Sequence, residues 1–118
     1  MKQSFFVVGK LPGANECLWK HWRIFDRLKK DSQQIIRLAI RRAKLKPMLY
    51  AAIRFEWHEA DQRRDFDNIM FAQKFVLDSL VQQEILPDDG WGEIVKIEHR
   101  VVLDASRPGV LVEMEEVR

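Results

Sequence analysis

Four aspartates lie in two short clusters, and their spacing makes them the candidate catalytic or metal-binding residues of this chain. Asp65 and Asp67 lie in the run Arg-Arg-Asp-Phe-Asp-Asn at residues 63–68, and Asp88 and Asp89 lie in Pro-Asp-Asp-Gly at residues 87–90. Crowded carboxylates repel one another and resist losing their water, so such clusters favour a bound cation. Oxygen ligands of this kind suit the hard ions Mg²⁺ and Mn²⁺.

A phosphodiesterase site is the chemistry that these residues allow if the two clusters meet in the fold. Three carboxylates could then hold one or two Mg²⁺ ions, which would activate a water and stabilise charge on a phosphodiester oxygen. Lys74 follows Asp67 by seven residues, which is two turns along the same face of one continuous helix. There it could neutralise a phosphate oxygen or orient the water, and Arg63 and Arg64 would contact flanking phosphates.

Each cluster also has a purely structural explanation. Asp65 or Asp67 could be only the N-cap of the helix that follows, and Pro-Asp-Asp-Gly is typical of an ordinary turn. Lys74 taken alone would be a solvated helix residue. A cap does not need a second acidic pair elsewhere in the chain, so the joint pattern favours a functional site.

The elements that must position these residues can be predicted from the spacing of apolar side chains. Their order is strand, helix, strand, helix, strand, strand, which indicates an α+β fold with a small mixed sheet and two main helices. The first helix should turn Ile24, Leu28, Ile35, Leu38 and Leu45 to the core, with a break possible at residues 31–32. The second is apolar around most of its girth, so it should be central or covered by a partner subunit. The predicted strands are 4–8, 49–58, 95–103 and 110–114, and the predicted helices are 19–44 and 68–83.

Composition and charge limit the class of protein. The 118 residues fit one domain, 1–118, and 47% hydrophobic with 32% charged residues is typical of a globular chain. The single Cys17, the absence of a signal-peptide pattern and the absence of a long apolar run predict a cytoplasmic protein without a membrane partner. Residues 20–46 hold ten Lys or Arg against two acids. On that helix Lys30, Arg37, Arg41 and Lys44 form a basic stripe, which indicates a polyanionic partner.

The tryptophans and histidines are weaker signals. Trp19 and Trp22 should pack the first helix onto the sheet, and stacking on nucleic acid bases is the alternative. Trp91 follows the second acidic cluster and either packs beneath the site or contacts DNA. His21, His58 and His99 have no metal-ligand spacing, so we expect them to be surface or satisfied core residues.

These residues resemble the RusA-type Holliday junction resolvases of bacteria and their phages. The match runs through Arg-Arg-Asp-Phe-Asp-Asn at 63–68, Lys-Phe-Val-Leu-Asp-Ser-Leu at 74–80 and Leu-Pro-Asp-Asp-Gly at 86–90. The opening Gly-Lys-Leu-Pro-Gly-Ala-Asn at 9–15 is also similar to the family's first loop, where Lys10 and Asn15 would contact DNA.

The resemblance implies a role for each matching position. Asp65, Asp67 and Asp89 would be the catalytic carboxylates that bind Mg²⁺, with Mn²⁺ able to substitute and Asp88 as a further candidate ligand. Lys74 would be the catalytic lysine. The family is homodimeric, with one active site per subunit, and it cuts two strands of a four-way junction symmetrically.

The resulting hypothesis is a Mg²⁺-dependent, structure-selective endodeoxyribonuclease, bacterial or phage-encoded, that resolves four-way (Holliday) junctions in DNA recombination and repair. Two alternatives stay open. One is a nuclease of the same fold that acts on flaps or other branched DNA. The other is a non-catalytic dimer that binds junction or duplex DNA, such as a phage regulatory protein.

Overall fold

A four-stranded mixed sheet with helices on one face makes up the computed structural model, which describes residues 1–117. The predicted α+β class with a small mixed sheet is confirmed. Within residues 1–117 no helix has the length and apolar character to cross a membrane. The strands are β1 (Lys2–Val8), β2 (Ala51–Glu59), β3 (Ile94–Leu103) and β4 (Gly109–Glu116), and the helices are α1 (Ala14–Cys17), α2 (Trp22–Ala43), α3 (Phe66–Met70) and α4 (Gln73–Gln82).

The strand order is β1-β4-β2-β3, and only the β2–β3 pair is parallel. Ala51 pairs with Ile94 at one end of the parallel pair, and Glu59 pairs with Leu103 at the other. Parallel neighbours need a crossover connection, which here contains α3 and α4. The crossover therefore leaves the sheet at the carboxyl end of β2 and returns to the amino end of β3.

Strand β2 follows the alternation that its sequence predicts. Ala51, Ile53, Phe55 and Trp57 are buried, because period-two alternation turns all four towards the helices. The strand begins two residues later than predicted, with Leu49 exposed, and it continues to Glu59. The opposite face is open and polar: the Arg54 guanidinium lies 3.9 Å from Glu98 and 4.0 Å from Glu113.

Helix α2 is continuous and presents a different face to the core from the predicted one. Ser32, Ile36 and Ile40 are buried, with Phe25 and Leu28 packed against the same core. A serine can occupy this core position because its hydroxyl donates to the Leu28 carbonyl at 2.7 Å. The break considered at residues 31–32 does not occur.

The predicted core residues Ile24, Ile35 and Leu38 are instead about half exposed, at 49%, 47% and 46%. Ile35 and Leu38 instead border Phe6 and Val8 of β1 at the surface, because α2 inserts Phe25 and Ile36 into the core. Leu28 and Leu45 are partly buried against the core, as predicted.

The predicted helix over residues 68–83 is two helices, joined at Phe71 and Ala72. Phe71 makes edge-to-face contacts with Phe25 and Phe75, at ring-centroid distances of 6.5 Å and 5.9 Å. The bend therefore places an aromatic side chain into the α2–α4 contact. Asp67 and Lys74 lie on separate helices, so the prediction of one continuous helix that carries both is wrong.

The apolar surface of α4 is covered within one chain. Phe75, Val76, Leu77 and Leu80 are buried against the sheet and α2 without a second subunit. The helix is central, which was the first of the two arrangements predicted for it. Its composition therefore does not require a partner.

Candidate functional site

Asp65 and Asp67 share the first turn of α3, and both are exposed. Asp65 occupies the N-cap position with an extended backbone, but within residues 1–117 its carboxylate makes no capping hydrogen bond. The Asp67 Oδ1 atom accepts the Asn68 backbone N–H at 3.0 Å. A cap explains where Asp65 lies and leaves its carboxylate open to solvent and ligands.

Next to these acids, Arg64 forms a buried bidentate ion pair with Glu59. Its Nε and Nη2 donate to the two carboxylate oxygens of Glu59 at 3.0 Å and 2.8 Å, and its Nη1 donates to the Leu11 carbonyl at 3.1 Å. Both charged side chains are only 9% exposed. This bidentate pair ties the end of β2 to the loop before α1 and fixes the backbone that leads into Asp65.

The neighbouring Arg63 is placed quite differently. Its side chain is exposed, and its guanidinium Nε lies 3.7 Å from an Asp61 carboxylate oxygen at the surface. Arg63 therefore lies at the surface, where its contact with phosphate stays a prediction, whereas Arg64 directs its donors to Glu59, Leu11 and Glu16. The expectation that Arg64 contacts phosphate does not match this buried arrangement.

A second contact docks the N-terminal loop onto α3. The Asn15 backbone N–H donates to the Asn68 Oδ1 at 2.9 Å. Gly13 approaches so closely that a β-carbon there would lie 2.8 Å from the Asn68 carbonyl and 2.9 Å from the Arg64 Nη1, so a larger residue would force the loop away. The Asn15 side chain is exposed next to the turn that carries Asp65 and Asp67, here called the acidic turn. Lys10 is exposed earlier in the same loop.

Asp88 and Asp89 lie at the opposite end of the crossover. Both are exposed, and the Asp88 Oδ1 accepts the Asp89 N–H at 2.8 Å. Backbone bonds from Met48 to Ile85 and from Ala51 to Glu93, at 2.8 Å and 3.0 Å, hold the flanking segments at the amino end of β2.

The two acidic clusters are therefore not brought together within one chain. Asp65 and Asp67 follow the carboxyl end of β2, whereas Asp88 and Asp89 precede β3, and α4 spans about 15 Å between them. Across residues 1–117 no three His, Cys, Asp or Glu side chains are placed to hold one metal ion. One chain thus offers two separate halves of the predicted ligand set.

Lys74 begins α4 and remains at the surface. Its Nζ lies 4.0 Å from an Asp78 carboxylate oxygen, one turn along the helix. The bend at residues 71–72 lies between it and Asp67, so its orientation relative to the acids depends on the α3–α4 junction and not on helical spacing.

The basic stripe of α2 is exposed along its whole length. Lys30 pairs with Asp26 at 2.9 Å, and the Arg41 Nε donates to the Gln83 Oε1 at 3.3 Å. Arg37 and Lys44 also lie at the surface. Exposed ion pairs of this kind contribute little to stability. The four side chains form a cationic stripe at the surface of α2.

A hydrogen-bonded chain fastens the start of α4 to the sheet. The Trp57 Nε1–H donates to the His99 Nδ1 at 2.9 Å, so the His99 Nε2–H donates to the Gln73 Oε1 at 2.6 Å. Burial lowers the pKa of His99, which agrees with a neutral ring that accepts at Nδ1. His99 is thus a half-buried histidine with both ring nitrogens hydrogen-bonded, and it holds Gln73, the residue next to Lys74.

The sequence analysis did not identify Glu59 and Gly13, two residues that shape the site. The sequence pattern could have indicated only Glu59. Glu59 continues the alternation of Ile53, Phe55 and Trp57, so the period of β2 placed a carboxylate on the buried face and implied a cationic partner. Gly13 gave no comparable signal, because its role depends on the close approach of Asn68.

The tryptophans are exposed, which contradicts the predicted packing of Trp19 and Trp22 and bears on the two roles predicted for Trp91. Trp19 is 99% exposed and Trp22 is 67% exposed, so the prediction that they pack α2 onto the sheet is wrong; Phe25 and Leu28 do so instead. Trp91 is 92% exposed and does not pack beneath an acidic site in this chain.

Comparisons with known proteins leave the family unassigned. No model of a protein family matches the chain, and no curated protein matches it. Among solved structures, one chain of "Crystal structure of HypE-HypF complex" is similar over 97% of this chain and 30% of its own length, with 18% identity and a TM-score of 0.36. This chain therefore spans under a third of that one, and a likeness at this TM-score carries no argument about fold or function.

Proposed function

We propose that the protein is a Mg²⁺-dependent, structure-selective endodeoxyribonuclease that acts as a homodimer on four-way DNA junctions. The observation that carries the proposal is the acidic turn of Asp65 and Asp67. Their carboxylates are exposed, while the backbone beneath them is held by the buried Arg64–Glu59 pair. A carboxylate pair on a fixed backbone suits a hard cation, through which a phosphodiester could be held.

The surroundings of the acidic turn supply the positive charge that a DNA substrate requires. Arg63 is exposed beside the acids, and Lys10 and Asn15 lie in the loop docked against α3. The α2 stripe adds a long cationic face. Because phosphate contacts dominate the affinity of proteins for DNA, these groups would draw a polyanion towards carboxylates that otherwise repel it.

The ligand set of one chain does not by itself fit a divalent cation, because its two halves lie at opposite ends of the crossover. The proposed homodimer offers a solution: Asp65 and Asp67 of one copy would face Asp88 and Asp89 of the other. Two such composite sites per dimer would suit paired cleavage of two strands. The proposal places this activity in the cytoplasm of a bacterial cell, whether the gene is the cell's or a phage's.

A non-catalytic DNA-binding dimer is the second candidate, favoured by the same separation of the acidic clusters. A pure binder needs only the basic stripe and gains nothing from exposed acids beside it. Its DNA affinity would be insensitive to Asp65, Asp67 and Asp89.

The experiment that separates these functions compares substrates. Four-way, three-way, flap and fully paired duplex DNA of the same sequence are incubated with the protein, with and without Mg²⁺. The proposal predicts Mg²⁺-dependent cleavage of the four-way junction and little cleavage of duplex. Equal cleavage of flaps would indicate a broader branched-DNA nuclease, and binding without any cleavage would indicate the non-catalytic dimer.

A further inference from the structure

The link between α1 and α2 exposes an indole completely. Trp19 is 99% exposed and Trp22, three residues later, is 67% exposed. Leu18 adds a further apolar side chain at 43% exposure. Large apolar side chains grouped at a surface commonly mark a binding site, and tryptophan is prominent among the residues that carry binding energy.

The backbone at Trp19 is strained. Its φ angle is +67°, in the left-handed region that bulky side chains rarely adopt. Glycine or asparagine would fit this position better. The chain thus accepts a cost in folding free energy at a residue whose side chain is almost fully exposed, and Lys44 and Glu84 also adopt positive φ, so the exposed indole is what singles out Trp19.

Positive charge surrounds the two tryptophans. The Arg23 guanidinium lies 5.4 Å from the centroid of the Trp22 ring, and the His21 ring stacks on Trp22 at 5.7 Å. Residues 18–30 contain five Lys or Arg and one acid, Asp26. Exposed aromatic faces among cations are the combination that binds unpaired nucleotides, because bases stack on the rings and phosphates meet the charges.

The chain also tethers Trp19 to the loop that docks against α3. The Asn15 backbone bonds to Asn68 on α3, and Trp19 follows Asn15 by four residues. Four residues of chain span at most about 14 Å, so the Trp19 backbone lies within a few nucleotides' length of the docked loop. A base held there would be near the strand that meets Asp65 and Asp67.

We propose that Trp19 stacks on an unpaired or unstacked base of the DNA substrate, while the His21–Trp22–Arg23 stack binds the adjacent nucleotide. Fully paired duplex offers no free base face, so this contact would favour a branch point over an ordinary helix. The inference rests on the proposed function, because it names the part of branched DNA that the chain recognises.

The test measures binding in Mg²⁺-free buffer, so that no cleavage occurs. Three probes are used: a four-way junction with 2-aminopurine at the branch point, a duplex of the same sequence and a short oligothymidylate. Trp19→Ala should weaken binding of the junction and the single strand by about tenfold or more, as expected for one stacked base, and leave duplex binding unchanged. The 2-aminopurine fluorescence that wild type quenches should recover.

Three further variants at Trp19 separate stacking from apolar contact and from misfolding. Trp19→Phe should retain most of the junction affinity, whereas Trp19→Leu should lose it. Trp19→Gly relieves the left-handed backbone, so its unfolding midpoint should not fall even though its junction affinity does. Ile97→Ala removes an exposed apolar side chain in the middle of β3, away from both acidic clusters, and should bind as wild type does.

Unchanged junction binding by Trp19→Ala would overturn the inference, as would an equal loss for duplex. Binding to anionic phospholipid vesicles that depends on Trp19, with no effect on DNA, would assign the patch to a membrane surface instead. If the junction is cleaved with Mg²⁺ while Trp19→Ala binds normally, the proposed function stands and this inference falls. If wild type binds no DNA, both fall.

Discussion

Arg63 and Arg64 are neighbours in sequence with opposite surroundings, and substitution should separate them. Arg64→Met would leave the Glu59 carboxylate buried without its partner, so we expect the free energy of unfolding to fall by about 3 kcal/mol. Arg63→Ala should change it by less than about 0.5 kcal/mol, because its side chain is exposed, while weakening DNA binding. Urea denaturation measures the first effect. Equal stability of the two variants would contradict the buried pair.

His99 should make the folded protein less stable as the pH falls. Burial lowers its pKa in the folded state, so below the ordinary imidazole value of about 6.5 the unfolded chain binds a proton that the folded chain resists. His99 therefore lowers stability progressively as pH falls from about 6.5 towards the folded pKa, and has no such effect at higher pH. Urea denaturation between pH 7.5 and 5 should show this loss in wild type and less of it in His99→Gln. Identical pH profiles would contradict it.

At the scale of elements, α2 should act through its charge. Each phosphate-contacting cation contributes about one unit to the slope of log affinity against log salt, so Arg37→Ala and Lys44→Ala should each reduce that slope by about one. Affinity should fall to a similar degree for junction and duplex DNA. Lys2→Ala removes an exposed cation that pairs with Glu115 on the sheet and serves as the control. If Arg37→Ala kept the wild-type slope of log affinity against log salt, Arg37 would not contact phosphate, and the stripe would not be part of the DNA-binding surface.

The sequence predicts some elements well and others poorly, for physical reasons. The alternation in β2 fixes which side chains are buried, because a strand has only two faces. In α2, however, two sets of apolar residues have helical spacing, and the sequence does not show which set is buried. The buried set includes Ser32, a polar residue that is satisfied by its hydrogen bond to the Leu28 carbonyl. No glycine or proline marks the interruption between α3 and α4, where Phe71 packs against Phe25. The position of Lys74 therefore could not follow from spacing.

The same limit applies to the site. Local sequence predicts the exposed pair Asp65 and Asp67, because adjacent positions on one turn need no distant contact. The convergence of that pair with Asp88 and Asp89 depends on the direction of the β2–β3 crossover, which a residue pattern does not specify. Glu59 could have been identified from alternation, and Gly13 could not.

At the scale of the whole molecule, the separation of the acidic clusters predicts complementation between subunits. Asp67→Asn and Asp89→Asn homodimers should each be inactive. A mixed dimer keeps one composite site with both acids intact, so co-refolded mixtures should nick one strand of a four-way junction. A site contained within one chain would leave no intact centre in the mixture. Failure of the mixture to cleave, with mixed dimers demonstrated, would therefore contradict the composite arrangement.

The central claim is that Asp67 serves Mg²⁺-dependent hydrolysis of junction DNA, and one comparison tests it most directly. A synthetic four-way junction is presented to wild type, Asp67→Asn and the control Asp31→Asn, an exposed acid on α2. We predict symmetrical cleavage with Mg²⁺ by wild type and Asp31→Asn. Asp67→Asn should bind the junction at least as tightly, because a negative charge near phosphate is removed, and should not cleave it. Cleavage by Asp67→Asn at saturating Mg²⁺ would contradict the account.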